Sequence, residues 1–425
     1  MIQDIARMVG STTHVRGLEL VRGVSIHSKQ THPGDVFFAL KGEHTDGHAY
    51  AAEALTNGAC ALVVEKTARP EKDIVVDDTL YALGELGRRY RRLFSPRTIA
   101  ITGTNGKTTV KNIIGRTLSR RYRTLFSKKN YNSLIGLPLT IFELSGEEVF
   151  LVVEIGTSSP GEIERLCEIA QPNFGLITNI GPGHLAGLGS IEGVRKEKIS
   201  LVTAIPADGF ALVGEGVGEV GARHVHRFGS AMIDDIDITE NGSYFSYGGT
   251  RYYTPLLGRG NVYNCLAALC FIREMGRSIG EDFADDIAAT IGTIASEQGR
   301  MEPIHRGRVI VIDDTYNANP LSMKAALDFI SSLDRRRVCV LGDMLELGEQ
   351  SSVLHQEIGR YARGRCDLLY TSGRFARLYG GQHFAEKSRI VKHLMLYLTG
   401  DEVILVKASR GLRFETIVQD ILKEL

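Results

Sequence analysis

At 425 residues, with 43% apolar and 24% charged side chains, the chain is long enough for two to three cores and has the composition of a soluble globular protein. Its 50 basic residues balance 50 acidic ones, which excludes the one-sided field that nucleic acid or an anionic membrane would attract; a polyanionic ligand must be met locally. The cysteines (Cys60, Cys167, Cys265, Cys270, Cys339, Cys366) are scattered without a C-x-x-C pair, and no apolar run is long enough to span a bilayer, so free buried thiols and a cytoplasmic protein without membrane insertion are expected.

Residues 1–93 predict a small α/β unit, with a strand over Val36–Leu40, a helix over Tyr50–Asn57 and a strand over Ala61–Glu65. The following helix ends in Arg88-Arg-Tyr-Arg-Arg92 ahead of Ser95-Pro96. With a balanced total charge, that run reads as a solvated helix face before a linker, not as a nucleic-acid patch.

The central part, 94–298, alternates apolar strands with amphipathic segments, as a largely parallel sheet covered by helices does. Its first element, Arg97 to Thr109, predicts strand, glycine turn and helix start in close succession. Gly103-Thr104-Asn105-Gly106 lets several backbone N–H groups face one anion, the helix presents its positive end there, and Lys107 adds a charge. Thr108, followed by Thr109, has a hydroxyl of the kind that ligates Mg²⁺ beside a nucleotide. The pattern G-x-x-x-x-G-K-[ST] is not met, because its first glycine would fall on Ile101, so this is a variant phosphate loop or a plain turn between elements. Glu154 lies near the end of the strand predicted over Val149–Ile155. Asn179 lies near the end of the strand predicted over Phe174–Ile180, which runs into Gly181-Pro-Gly-His184. Alone, each has a bland reading, a helix cap or a solvated loop residue; together they are three polar groups delivered to one sheet edge, where an open parallel sheet binds its ligand. A hard cation beside phosphate needs oxygen ligands, and Thr108 with Glu154 would supply two.

A helix with several lysines covers Ile191–Ser200, and 206–256 is β-rich with a hairpin at Tyr244–Tyr253. In the helix from Asn261 to Met275, Asn261 and Asn264 would cap the first turn or reach a base. Residues 299–425 predict a second doubly wound unit, with strands over Arg308–Ile312, Val338–Leu341, Leu368–Thr371 and Val403–Val406. Its first strand leads into the polar run Asp313-Asp-Thr-Tyr-Asn-Ala-Asn-Pro320, which opens a helix.

The run Thr102 to Thr109, together with Glu154, Asn179-Ile-Gly-x-Gly-His184, Gly299-Arg-Met301 and Asp313 to Pro320, resembles the Mur ligase family over nearly the whole chain. Within it, Val340 to Gly348, Gly34 to Glu43, Asp46-Gly-His48 and Ser409 to Glu415 resemble the branch that adds D-alanyl-D-alanine to a UDP-N-acetylmuramoyl-tripeptide. The resemblance implies three α/β domains: 1–93 for the UDP donor, 94–298 as a central P-loop ATPase-type domain of mostly parallel sheet, and 299–425 as a Rossmann-like domain for the incoming amine. It implies ATP, two Mg²⁺ ions and an acyl-phosphate reaction on small molecules, carried out by a monomer without nucleic-acid or membrane partners. By resemblance Asn179 joins the catalytic set with Lys107, His184 belongs to the second metal site, and Lys198 is carbamylated beside it, with Lys196 as the alternative alignment. Asn264 meets the adenine, while Arg300 and Asp314 close on ATP. Ser28, Asp46, His48, Asn130, Asn132, Tyr316, Asn317 and Asn319 are expected to meet the two substrates.

The chain departs from the family pattern at several donor-side positions. It has His27-Ser28-Lys29 where Asp-Ser-Arg is usual, Thr45 before Asp46, Ser133 at the end of the central Asn loop, and Gly260 where a histidine normally precedes Asn261. Lysine lacks the planar fork of arginine, so donor contacts would differ there. The alternatives are a paralogue using this chemistry on another carboxylate, and a nucleotide-binding switch without ligation.

Overall fold

The computed structural model describes all residues except 13–18, 43, 44, 67, 68, 70, 129 and 222–223. Glu43, the last residue of the N-terminal motif, therefore lies outside the described residues. Strands β1 (Gly23–Ser25), β2 (Asp35–Phe38), β3 (Ala61–Val64) and β4 (Asp73–Val75) pair in parallel and in chain order. The run Val36-Phe-Phe38 is continuously apolar because both sheet faces are covered. Val36 and Phe38 pack with Ile2, Leu83 and Leu86, while Phe37 packs oppositely with Ala54 and Leu62.

Helix Thr79–Arg91 starts on Asp78, whose carboxylate accepts from the Tyr81 N–H at 2.8 Å. One side of this helix closes the first core. Its glycines bring the backbone against the central region, where a Cβ on Gly87 would lie 3.0 Å from Pro138 Cβ and one on Gly84 3.0 Å from Ile169 Cδ1. The arginine run at its end is only in part the solvated face its composition suggests: Arg89 and Arg92 are exposed, while the other two are held. Arg88 grips Glu85 at 2.7 Å. Arg91, 6% exposed, donates to the carbonyls of Phe94 and Pro96 and to the Thr98 hydroxyl. The chain folds back over the helix end there, and the guanidinium satisfies the carbonyls of the connection.

The central sheet is parallel throughout, in the order β10 (Val225–Phe228), β9 (Phe210–Gly214), β8 (Phe174–Ile177), β5 (Arg97–Thr102), β7 (Phe150–Glu154) and β6 (Thr124–Phe126). Ile99, Ile101, Val152 and Leu176 face helices Lys107–Ser119 and Arg259–Ile279; Ala100, Val153 and Ile177 face helix Glu162–Ala170. The strand order reverses beside β5, and the register sets Ile101 against Glu154 and Thr102 against Ile177, so the ends of β5, β7 and β8 open on one crevice. The hairpin expected near Tyr244 is part of an antiparallel sheet of β11 (Asp235–Thr239), β12 (Gly242–Tyr247) and β13 (Thr250–Thr254). Helix Arg259–Ile279 begins on Gly258 without a side-chain cap, and Asn261 donates to the Leu257 carbonyl at 3.0 Å; Asn261 is thus not the helix cap.

The third sheet runs β14 (Glu302–Arg306), β15 (Val309–Asp314), β19 (Glu402–Lys407), β16 (Arg336–Gly342), β17 (Leu368–Ser372) and β18 (Gln382–His383), parallel except for β14. Strand β15 extends through Asp313 and Asp314, so the polar run opens two residues later than its composition suggests. Asn319 caps helix Pro320–Ser331, with its Oδ1 accepting from the Ser322 N–H at 2.9 Å. One core of this sheet continues into Leu185, Leu188 and Leu257 of the central region, and Arg335 bonds Glu240 beyond β11 at 2.7 Å. Among the described residues no helix is long and apolar enough to cross a membrane.

The glycine contact of helix Thr79–Arg91 is testable. Gly87→Leu should overpack the Pro138 contact and cost about 1–3 kcal/mol, read as a lower urea midpoint with an unchanged slope.

Candidate functional site

The site begins as a backbone problem at the end of β5. Gly103 has φ 147° and Gly106 φ 84°, and a Cβ on Gly106 would lie 2.0 Å from Asn264 Oδ1. Asn179 braces the loop between them: its Nδ2 donates to the Asn105 carbonyl and its Oδ1 accepts from the Asn105 N–H, both at 3.0 Å. Thr178 adds a bond to the same carbonyl at 2.6 Å, and Thr104 Oγ1 accepts from the Gly181 N–H at 2.9 Å. Helix Lys107–Ser119 then starts on Gly106 with no side-chain cap, leaving its first N–H groups to a ligand. Lys107 Nζ folds back onto the carbonyls of Gly103 and Thr104 at 2.9 and 3.3 Å. Burial pushes its ammonium below the ordinary value, against the pull of Glu154.

Glu154, 2% exposed, ends β7 and receives the Thr108 hydroxyl at 2.7 Å on one oxygen and Asn132 Nδ2 at 2.7 Å on the other. It is neither a helix cap nor a surface group. Thr108 and Glu154 thus set two hard oxygen donors side by side at the foot of the phosphate loop. Among the described residues no three His, Cys, Asp or Glu side chains gather to hold a metal unaided, so a cation here would also need phosphate oxygens and water.

His184 sits at φ 56°, and its Nδ1 donates to Glu346 of the third unit at 2.7 Å, a bond that holds the Glu346 carboxyl below its usual range. Lys198 is 2% exposed, where its sequence neighbourhood reads as an exposed helical face. Burial first, and then the nearby Lys107 charge, bring its pKa down to about 7. Lys196 lies on the same helix, Ile191–Thr203, and is exposed, whereas Lys198 is buried with Leu201 and Val202.

The third unit meets the loop directly. Asn105 and Asn319 exchange two side-chain bonds, at 2.7 and 3.2 Å. The Arg300 guanidinium stacks over Tyr316 at 3.8 Å. Asp314 accepts from the Met301 N–H at 3.1 Å and pairs with Lys407 at 2.5 Å, and Lys407 also donates to the Asn317 carbonyl at 2.9 Å. A cavity of about 410 Å³ is lined by Gly106, Thr109, Asn179, Asn264, Arg300 and Asp314 among others. A second, of about 200 Å³, is lined by Lys107, Thr108, Asn130, Asn132, Glu154 and His184 among others. Asn105, Gly106, Arg300, Tyr316, Asn317 and Asn319 border both.

The expected donor residues of the first unit line neither cavity. Ser28 is buried and donates to Glu53 at 2.5 Å. His48 accepts the Glu65 N–H on Nε2 at 2.9 Å, so its neutral ring carries the proton on Nδ1 and donates it to Asp46 at 2.6 Å. The bond from the His48 backbone N–H, more than the ring bond, holds the Asp46 carboxyl low.

Two residues absent from the sequence expectations stand in the site, Glu346 and Lys407. Lys407 carried the same signal that singled out Glu154, a charge ending an apolar strand. Its partner became visible only through register, because β15 and β19 set Asp314 opposite Lys407. Lys407→Met should strand the Asp314 charge in a buried setting and cost about 3–5 kcal/mol in urea unfolding; adding Asp314→Asn should recover most of that loss.

Sequence profiles match three segments: the Mur ligase family catalytic domain over 20–91, the Mur ligase middle domain over 101–272, and the Mur ligase glutamate ligase domain over 299–410. The UDP-N-acetylmuramoyl-tripeptide–D-alanyl-D-alanine ligase of Haemophilus influenzae is 33% identical, over 94% of this chain and 93% of its own. That of Bacillus subtilis is 31% identical over 99% and 98%. The crystal structure of MurF from Acinetobacter baumannii superimposes with a TM-score of 0.92 at 29% identity, covering 99% of this chain and 98% of its own. The MurF ligase from Thermotoga maritima, in complex with ADP, gives a TM-score of 0.86 at 28% identity, covering 96% of this chain and 99% of its own. On this full-length similarity, the chain belongs to the Mur ligase family.

Proposed function

We propose that the chain is an ATP-dependent ligase that joins D-alanyl-D-alanine to UDP-N-acetylmuramoyl-tripeptide in cytoplasmic peptidoglycan precursor synthesis, working as a monomer of three domains, 1–93, 94–298 and 299–425. The observation that carries this reading is the convergence of the phosphate loop, the Thr108–Glu154 oxygens and the Arg300–Tyr316 stack on two adjoining cavities. Construction of both cavities from one chain supports the monomer, and six free thiols accord with the cytoplasm.

In the proposed reaction a carboxylate oxygen of the tripeptide attacks the γ-phosphorus of ATP, the bond to ADP breaks, and an acyl phosphate forms. The dipeptide amine then attacks the acyl carbon, loses its proton, and phosphate leaves as the amide bond closes. Two anions must approach in the first step, so cations must already be in position. Lys107 and the uncapped N–H groups at the start of helix Lys107–Ser119 are suited to hold the β- and γ-phosphates, with Asn179 fixing the loop. Gly106 and Asn264 lie together and suit the nucleoside side, and Arg300 and Asp314 would close over it. Mg²⁺ held by Thr108 and Glu154 would neutralise phosphate charge when bound. Asn130 and Asn132 suit the donor peptide; Tyr316, Asn317 and Asn319 suit the incoming amine; Ser28, Asp46 and His48 shape the UDP-donor domain.

Lys198 is the residue whose environment most favours an unusual state. At pH above about 7 its buried amine is neutral and therefore nucleophilic toward CO₂, giving a carbamate and releasing one proton. The carbamate would place an anion near Lys107, and by resemblance to the family it would hold a second metal ion together with His184. A second reading, the same chemistry on another carboxylate, draws on the departures at His27, Lys29, Thr45, Ser133 and Gly260.

Phosphate release with ATP, Mg²⁺, UDP-N-acetylmuramoyl-tripeptide and D-alanyl-D-alanine, each omitted in turn, should fall to background in every omission. Turnover that ignores the tripeptide would favour the second reading, and turnover that ignores both peptides would sink ligation. Lys198→Ala should lose ligation by at least about 100-fold, as removal of a positioned charge from a catalytic site does, and added short-chain carboxylic acid should partly restore it; full activity without the acid would rule out the carbamate.

A further inference from the structure

We propose that Arg410 is the specificity residue that takes the free carboxylate of the incoming dipeptide. This rests on the ligase reading above, in which the acceptor is an amine whose far end is an anion. An anion drawn into a cleft of this kind needs a cation that is not already committed. Among the described residues around the two cavities the other cations are engaged. Lys107 folds onto the phosphate loop, and Lys407 is tied to Asp314 and the Asn317 carbonyl. Arg300 borders both cavities, stacks on Tyr316 and, in the ligase reading, closes on ATP.

Arg410 has the opposite character. Its side chain is 65% exposed, its nearest carboxylate is Glu415 at 4.0 Å, and its guanidinium lies 5.9 Å from the ring centre of Tyr316, which borders both cavities. Its position is set from below. Ser409 is buried, accepts the Leu345 N–H at 2.9 Å and donates to the Ala318 carbonyl at 3.3 Å, and Leu345 and Ala318 both line the smaller cavity. Gly411 abuts Leu345, where a Cβ would come within 3.2 Å of Leu345 Cδ1. The turn Arg410–Leu412 therefore holds a cation next to Tyr316 and Leu345, two residues that line the smaller cavity, and a cation beside this apolar wall suits a short peptide with small side chains and a terminal carboxylate.

The test compares D-alanyl-D-alanine with its C-terminal amide as acceptors for the full-length enzyme. Wild type should prefer the acid by about 10- to 100-fold in kcat/KM, the size of a hydrogen bond to a charged group. Arg410→Gln should bring the acid down to the level of the amide, mainly through the dipeptide KM, while the KM for ATP stays put; Arg410→Lys should keep part of the preference. If Arg410→Gln retains the full preference for the acid, or if wild type has none, the assignment to Arg410 is overturned while ligation stands. If wild type ligates neither acceptor, the ligase reading itself falls, and this subsite with it.

Discussion

Asn105 is the residue on which the closed arrangement turns. Its backbone exchanges two hydrogen bonds with the side chain of Asn179, and its own side chain exchanges two with Asn319 of the third unit. One residue thus ties the end of β8, the phosphate loop and the start of helix Pro320–Ser331 into a single hydrogen-bonded chain. The next residue, Gly106, must be left-handed and without a Cβ, because Asn264 occupies that space. The loop is therefore rigid before any phosphate arrives, and the third unit docks on the loop itself. A site built in this way meets developing charge without reorganising, which is where electrostatic catalysis gains most.

The charges around the loop divide into two kinds. Asp314 and Lys407 compensate each other in the interior and act as framework, joining β15 to β19 beneath Tyr316 and Asn317. Lys107 and Lys198 are cations that burial disfavours, each shifted below its ordinary range, with Glu154 an opposing charge near Lys107. Their strain is relieved by an incoming anion, which is a physical reason for phosphate, or a carbamate, to settle there. Loss of a framework pair is expected to appear in stability, and loss of an uncompensated cation in ligand binding and rate.

Much of this was legible before the fold was known. Apolar runs without alternation announced parallel strands covered on both sides, and β5, β7, β8, β15, β16, β17 and β19 lie where those runs do, with ends shifted by at most three residues, whereas β6, β14 and β18 carry no such run. The phosphate loop was legible because its chemistry is local: glycine conformations, a helix start, a lysine and a threonine in consecutive positions. Glu154 was legible because a carboxylate ending an apolar strand is conspicuous. Arg91 misled, since a basic run reads as surface, whereas the chain turns back over it and buries it among carbonyls. Asp314 was visible as part of a polar run but not as a strand residue, because the strand continues while its composition changes.

The amino-acid sequence by itself determined the three α/β units, the phosphate loop and the family, because these rest on contacts between near neighbours and on the order of motifs along the chain. Only the tertiary structure decided that Lys198 is buried, that Asp314 faces Lys407, that His184 meets Glu346 and that Asn105 meets Asn319. Each of these joins residues far apart in the chain or depends on the face a helix turns inward. A lysine's exposure or a carboxylate's partner is a property of what packs against it, and the three sheets had to be brought together before those partners existed.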